Sequence, residues 1–285
     1  MAVRLVVFDF DGTLTDIRSE GAEFAAAYEE RVLQLFGADR RDAWRAALAS
    51  VYADAPELGW DMGSGATAPG DADPYIAATL ALARFCDTLR LPLLSGDDKA
   101  KKLRGDLGGA LYQAAYGALH AAFRPEAREV VEAVTRQVPH VRIVTNSSTA
   151  KVTDKLKALA LTRPMGVAGD ARKFEVGEPA GRGHGIGGVA AKWWVPGLKR
   201  PVLPRRGRYF DVLAEVWADT GTTPAETLVV GDIVELDLVL PGLLGAHVHH
   251  VRRATTHAYE VAILEAFGAR GGSSDDLRDV LTRLD

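Results

Sequence analysis

Four stretches of nearly continuous, often β-branched apolar residues punctuate the chain: 3–8 (VRLVVF), 141–145 (VRIVT), 227–232 (TLVVGD) and 247–251 (HVHHV). They do not alternate cleanly with polar residues, which is how strands buried on both faces of a parallel sheet read. Between them the apolar period changes. Phe24, Tyr28, Val32 and Leu35 recur at helical spacing, and Ala43, Ala46 and Ala47 continue it after a break near Gly37. Helical text resumes at 75–89 and 99–122. Pro125 suits the first turn of a helix through Val130, Val131 and Val134, and later helices carry Val152, Leu156 and Leu159, then Phe210, Leu213, Ala214 and Trp217. Residues 56–74 are rich in Gly, Pro and Asp and predict a loop. Residues 166–205 are Gly- and Pro-rich with short β-like pieces. Strands alternating with helices predict an α/β fold with a parallel sheet. The stretch 17–122, all helix and without a clear strand, reads as an insertion after the first strand.

The ends of these strands carry the chemistry. Asp9 and Asp11 follow the first, Thr145 and Asn146 the second and Asp232 the third, with Asp237 five residues on. In open α/β sheets ligands sit outside the carboxyl ends of the strands. Two carboxylates two residues apart on extended chain point the same way and repel each other unless a cation lies between them. Magnesium prefers carboxylate oxygens and keeps waters and phosphate oxygens as its other ligands. A single Asp before a Gly is ordinarily a turn cap; the full set is not explained that way. Composition narrows the partners. A net charge of −4 leaves no basic footprint for nucleic acid and no polybasic membrane patch. The one cysteine, Cys86, excludes an internal disulfide and fits a reducing, cytoplasmic setting; it reads as a small buried hydrophobe. The apolar run at the start is too short and too acidic for a signal peptide or a membrane span.

The text DFDGTLTD at 9–16 resembles the first motif of the haloacid dehalogenase-like hydrolase superfamily, IVTNS at 143–147 its second and VVGDIVELD at 229–237 its fourth, in the family's order. The resemblance implies a Rossmann-like, three-layer α/β core formed by 1–16 and 123–285, with 17–122 as an α-helical cap domain. It implies that Asp9 is a nucleophile forming an aspartyl-phosphate, that Asp11 is the general acid and base, and that Thr145 and Asn146 bind phosphate. Mg2+ would be held by Asp9, the Asp11 carbonyl and Asp232, with Asp237 in support. The phosphatases and phosphomutases of the superfamily carry the second Asp of the first motif; the haloacid dehalogenases and cation-pumping ATPases lack it. The expectation is therefore a magnesium-dependent phosphatase acting on a small phosphorylated metabolite. A phosphomutase, a phosphonatase using Lys99, Lys101 or Lys102, and a non-catalytic binding protein are the alternatives.

The family's third motif, a lysine or arginine, departs from the usual text. VAGDARK at 167–173 resembles a strand followed by Lys173, which makes 174–204 a further insertion in the core. Arg205 and Arg206, just before the helix, are the competing choice, with Lys192 and Lys199 behind them. GRGHGIGG at 181–188 lacks the Lys-Ser/Thr of a nucleotide-binding loop and reads as a hairpin tip. His247, His249 and His250 read as strand residues rather than a transition-metal site. Trp193 and Trp194 read as packing, and the lysines at 99–102 as a solvated helix face. Trp60 and Tyr75, beside the Gly/Pro loop, are candidates for facing substrate, with burial in the inserted module the plainer reading.

Overall fold

The computed structural model describes residues 2–91, 94, 97–117, 122–181 and 186–284. In chain order the elements are β1 (Leu5–Phe8), α1 (Ile17–Phe36), α2 (Arg41–Asp54), β2 (Gly59–Asp61), β3 (Ala66–Pro69), α3 (Pro74–Leu89), α4 (Asp98–Tyr116), α5 (Ala127–Gln137), β4 (His140–Val144), α6 (Thr149–Leu156), β5 (Gly166–Ala168), α7 (Gly207–Thr220), β6 (Thr227–Gly231), α8 (Val239–Leu243), β7 (His247–Val251), α9 (Ala258–Ala266) and β8 (Gly271–Ser274). The chain divides into two compact units. One comprises 1–16, 61–68 and 123–285; the other comprises 17–60 and 69–122.

The first unit holds a parallel six-stranded sheet in the order β5-β4-β1-β6-β7-β8. β1 is central, with Leu5 in register with His140 on one side and Thr227 on the other. Its alternation builds three layers: Leu5 and Val7 join the core beneath α7 and α9, while Val6 and Phe8 join the core beneath α5 and α6. All four residues of β1 are almost fully buried, and at about 1.5–3 kcal/mol per large apolar side chain removed from water the strand is fixed in place. The chain leaves β1 toward β4 and β5, then returns to β6 on the other side, so the topological switch lies at β1, the position where such sheets bind ligands.

The fold is the Rossmann-like parallel α/β core the pattern predicts. The described part of 174–204 packs on it: Ile186, Val189, Val195, Leu198 and Val202 are buried in the same cluster as Leu5 and Val7. Of the Gly-rich tip at 181–188, residues 182–185 lie outside the described residues.

The second unit is helical and has its own core. Phe24, Tyr28, Trp44, Tyr75 and Phe85 pack edge-on, tilted or stacked within it, and Cys86 is buried there. Its helices start where the sequence supplies caps: Asp73 accepts from the Ile76 amide before α3, and Asp97 accepts from the Ala100 amide before α4. Gly37 breaks the chain between α1 and α2 with a φ of 106°. Two expectations need correction. The stretch 56–74 is not simply a loop: β2 and β3 form a two-stranded hairpin, so 17–122 is not wholly helical. Residues 61–68 of that hairpin also group with the α/β unit rather than with the helices. Within that unit Arg206 donates through Nη2 to the Thr67 carbonyl at 3.0 Å. Helix α4 ends at Tyr116, earlier than the predicted 122, and 118–121 lie outside the described residues. No described helix is long and apolar enough to cross a membrane.

Candidate active site

Three adjacent central strands deliver the polar residues. Asp9 follows β1, Thr145 and Asn146 follow β4, and Asp232 follows β6. Because β6 lies beside β1 in the sheet, residues far apart in sequence become neighbours. The Thr13 hydroxyl lies 3.3 Å from Asp9 Oδ2 and 3.4 Å from Asp232 Oδ1. Carboxylate oxygens of Asp9, Asp232 and Asp237 all lie within 4.8 Å of one another, and all three residues are buried.

The glycines of the motifs are explained by this crowding. Gly12 has a φ of 85°, and a Cβ there would sit 2.4 Å from Asp232 Oδ2, so the turn that carries Asp11 needs glycine twice over. A Cβ on Gly231 would lie 2.4 Å from the Asp237 Cβ. After Asp232 the chain makes one π-helical turn, Val234–Leu238, and Asp237 Oδ2 accepts from the Ile233 amide at 2.9 Å.

Lys173 closes the cluster. Its Nζ lies 2.7 Å from Asp9 Oδ1 and 2.8 Å from Asp237 Oδ1, with the residue 1% exposed. The end of β4 holds the loop that carries it. The Ala171 amide donates to the Thr145 carbonyl, the Asp170 amide to the Ser147 carbonyl, and the Lys173 amide to Asn146 Oδ1 at 2.7 Å. Asp170 and Arg172 take left-handed backbone to make this turn, a strained choice for non-glycine residues. The Asn146 oxygen is therefore committed to placing Lys173, and Thr145 Oγ1 accepts from the Ser147 amide at 3.1 Å.

The alternative cations are engaged elsewhere. Arg206 is 1% exposed and donates to the carbonyls of Leu203 and Thr67. Arg205 pairs with Glu178 and donates to the Val189 carbonyl.

Asp11 sits at the rim. Ser147 Oγ donates to its Oδ2 at 2.6 Å, and Lys155 Nζ, on α6, lies 3.7 Å from Oδ1. Oδ1 is buried without a hydrogen-bond partner. Burial dominates the electrostatics of the centre. It pushes the Asp9 carboxyl up to about 7, although the Lys173 ammonium pulls the other way. Burial also works against the Lys173 charge, but Asp237 and Asp9 outweigh it and hold its pKa above the ordinary lysine value. Tyr209 donates to the Asp237 carbonyl at 2.8 Å and presents its ring 5.4 Å from Lys173 Nζ.

Several of these contacts carry no sequence signal. Lys155 looks like one of many helix-surface lysines, and Tyr209 like a core aromatic. His250 and Arg253, near the end of β7, both reach the Asp232 main-chain carbonyl; only the pairing of β6 with β7 brings them there. The histidines are otherwise strand residues: His249 is buried against Ser274 Oγ at 2.9 Å. Trp193 packs on Phe267 as expected, but Trp194 does not pack and is 62% exposed. Tyr75 is buried in the helical unit.

The oxygen-only cluster of Asp9, Asp232 and Asp237 suits a hard divalent cation. Burial is the main cause of the raised Asp9 pKa, with Asp237 adding to it, and an added cation beside these carboxylates would favour the ionised form.

No curated protein matches the sequence. Among solved structures, a predicted phosphoglycolate phosphatase from Haemophilus somnus 129pt superposes with a TM-score of 0.54 at 16% identity, covering 99% of this chain and 98% of its own. The HAD-hydrolase YfnB from Bacillus subtilis, solved bound to magnesium, gives 0.55 at 13% identity with coverage of 100% and 99%. A protein from Thermotoga maritima described as a candidate beta-phosphoglucomutase gives 0.54 at 15% identity with coverage of 99% and 100%. At such identities the likeness is one of fold. A family model of the haloacid dehalogenase-like hydrolases matches residues 3–239. With the first, second and fourth motifs at the ends of β1, β4 and β6, the chain belongs to the haloacid dehalogenase-like hydrolases.

Proposed function

We propose that this hydrolase is a magnesium-dependent phosphatase that cleaves small phosphomonoesters through a phosphoryl group held on Asp9. The observation that carries the reading is Asp11. Displacement of a halide needs no proton on the leaving atom, and a second carboxylate beside the nucleophile would repel a haloacid's own carboxylate. An alkoxide leaving group does need a proton. A carboxyl at the rim, fixed through one oxygen by Ser147 with the other buried and without a hydrogen-bond partner, suits that task.

Asp9 Oδ attacks phosphorus as the bond to the leaving oxygen breaks, and Asp11 Oδ1 gives that oxygen its proton. Water then attacks phosphorus, Asp11 takes the water's proton, and the bond to Asp9 breaks to release phosphate. Splitting one displacement into two is the use of a carboxylate nucleophile. Lys173, 2.7 Å from Asp9, orients that carboxylate and offsets its repulsion of the incoming anion. The Thr145 hydroxyl and the groups after β4 would face the phosphoryl oxygens. Magnesium held by Asp9, Asp232 and the Asp11 carbonyl would supply charge stabilisation for the phosphoryl group. Asp237 keeps Lys173 in place. The helical unit, entered at 17 and left at 122, would serve as a cap that shapes substrate choice.

The test is phosphate release from a generic aryl phosphate and from a panel of phosphorylated metabolites, with and without magnesium. Turnover that requires magnesium supports the reading. Halide release from a 2-haloacid with no phosphate release from any ester overturns it. Transfer of the phosphoryl group to a second sugar hydroxyl, in place of water, would make the protein a mutase.

A further inference from the structure

Behind Asp232 lies a buried ion pair that takes no part in the chemistry above. Arg253 donates through Nη2 to both carboxylate oxygens of Glu260 at 3.0 Å, and its side chain is 3% exposed and that of Glu260 fully buried. Its other arm, Nη1, donates to the main-chain carbonyl of Asp232. The same carbonyl lies 3.0 Å from His250 Nε2, and His250 Nδ1 lies 3.3 Å from Ser273 Oγ. Glu260 Oε2 also accepts from the His257 amide at 2.9 Å, which anchors it at the start of α9.

A buried pair of this kind is a poor source of net stability, because desolvation offsets most of its attraction. It is instead a rigid construction. The guanidinium is a planar fork, held through Nη2 on Glu260 with Nη1 aimed at the carbonyl of Asp232. Two donors from β7 and the loop after it converge on one peptide oxygen at the end of β6, and so fix the peptide after the residue whose carboxylate faces Asp9 and Thr13.

We infer that Arg253, braced by Glu260, is a positioning residue that holds Asp232 in its metal-binding orientation. The inference rests on the reading of Asp232 as a magnesium ligand. Groups that orient metal ligands from behind are typically worth about 10–100-fold in metal affinity, and that is the effect expected here.

The experiment is calorimetric titration of magnesium into wild-type protein, D232A and the double variant R253M/E260M. The double variant removes the donor without stranding a buried charge. Titrations are run well below the melting temperature of each variant, with circular dichroism confirming the fold. The expected result is a magnesium Kd raised about 10–100-fold in R253M/E260M, with substrate KM at saturating magnesium close to wild type. A purely structural pair would leave the Kd unchanged, whatever the melting temperature does. If the double variant does not fold, R253K carries the same measurement, since lysine keeps the charge opposite Glu260 but cannot span both partners. An unchanged Kd in the Arg253 variants, with binding lost in D232A, overturns the inference alone. Unchanged binding in D232A overturns the metal reading beneath it.

Discussion

Replacing Lys173 with methionine is the most informative single change, because length and apolar volume are nearly kept while the ammonium is lost. The lysine is 1% exposed and lies 2.7 and 2.8 Å from two carboxylates. Removing one partner of a buried ion pair costs about 3–5 kcal/mol, because the remaining charge is left uncompensated. Here two carboxylates lose the same cation, and Asp232 is also within 4.8 Å. The metal-free variant should therefore melt well below wild type. The acids should then respond more strongly to added magnesium, since no protein cation competes with it. A ligand at 100-fold over its Kd stabilises by about 2.7 kcal/mol, enough to recover much of the deficit. Catalysis should not recover. Loss of one aimed donor at a developing anion costs about 10²–10³ in kcat, and Asp9 also loses the group that orients it. The assays are thermal denaturation with and without magnesium, and steady-state turnover of the best substrate found. Near-normal turnover in K173M, or equal magnesium stabilisation of variant and wild type, would refute the reasoning.

Three further outcomes follow from the same geometry. Arg206→Ala should leave kcat near wild type but lower stability by roughly 3 kcal/mol, because hydrogen bonds from a charged donor are worth about 1.5–3 kcal/mol each and it serves two carbonyls; a dead but fully stable variant would move the third motif to the arginines. His249 is buried, and burial, assisted by Arg283, lowers its pKa to about 4 from an ordinary 6.5. The unfolded chain therefore binds the extra proton first, so its contribution is complete above 6.5 and is lost as pH falls toward 4, roughly 3 kcal/mol in all; H249N should flatten that part of the stability–pH curve, and an unchanged slope would contradict the assignment. Ser147→Ala should lower kcat with little change in magnesium affinity, because it frees Asp11 Oδ2 without touching Asp9 or Asp232; a change in magnesium affinity alone would misplace its role.

The central strands were legible because burial on both faces demands uninterrupted apolar text, as in Leu5–Phe8 and Thr227–Gly231. The edge strand Gly271–Ser274 gives no such signal, since its residues are small and polar and its identity comes from pairing with His247–Val251. The hairpin at 59–69 reads as a loop because Gly59, Gly63 and Gly65 interrupt it; the pairing of its two strands shapes it instead, and Arg206 bonds Thr67. Asp9, Asp11, Asp232 and Asp237 could be read from local spacing. Lys173 could be read only as a choice among cations. In three dimensions Lys173 lies against Asp9, while the buried Arg206 donates to two carbonyls. Lys155, His250 and Arg253 were not legible at all, because their roles depend on which strands lie side by side.

The proposed chemistry stands on Asp9 as the residue whose carboxylate receives phosphorus. The direct measurement is acid quench of a single turnover in magnesium, followed by mass spectrometry of the peptide containing Asp9, with Asp9→Asn protein in parallel. The expected result is one added phosphoryl group on that peptide in wild type, none without magnesium, and neither label nor phosphate release in Asp9→Asn. Phosphate release by a folded Asp9→Asn protein at the wild-type rate would contradict it.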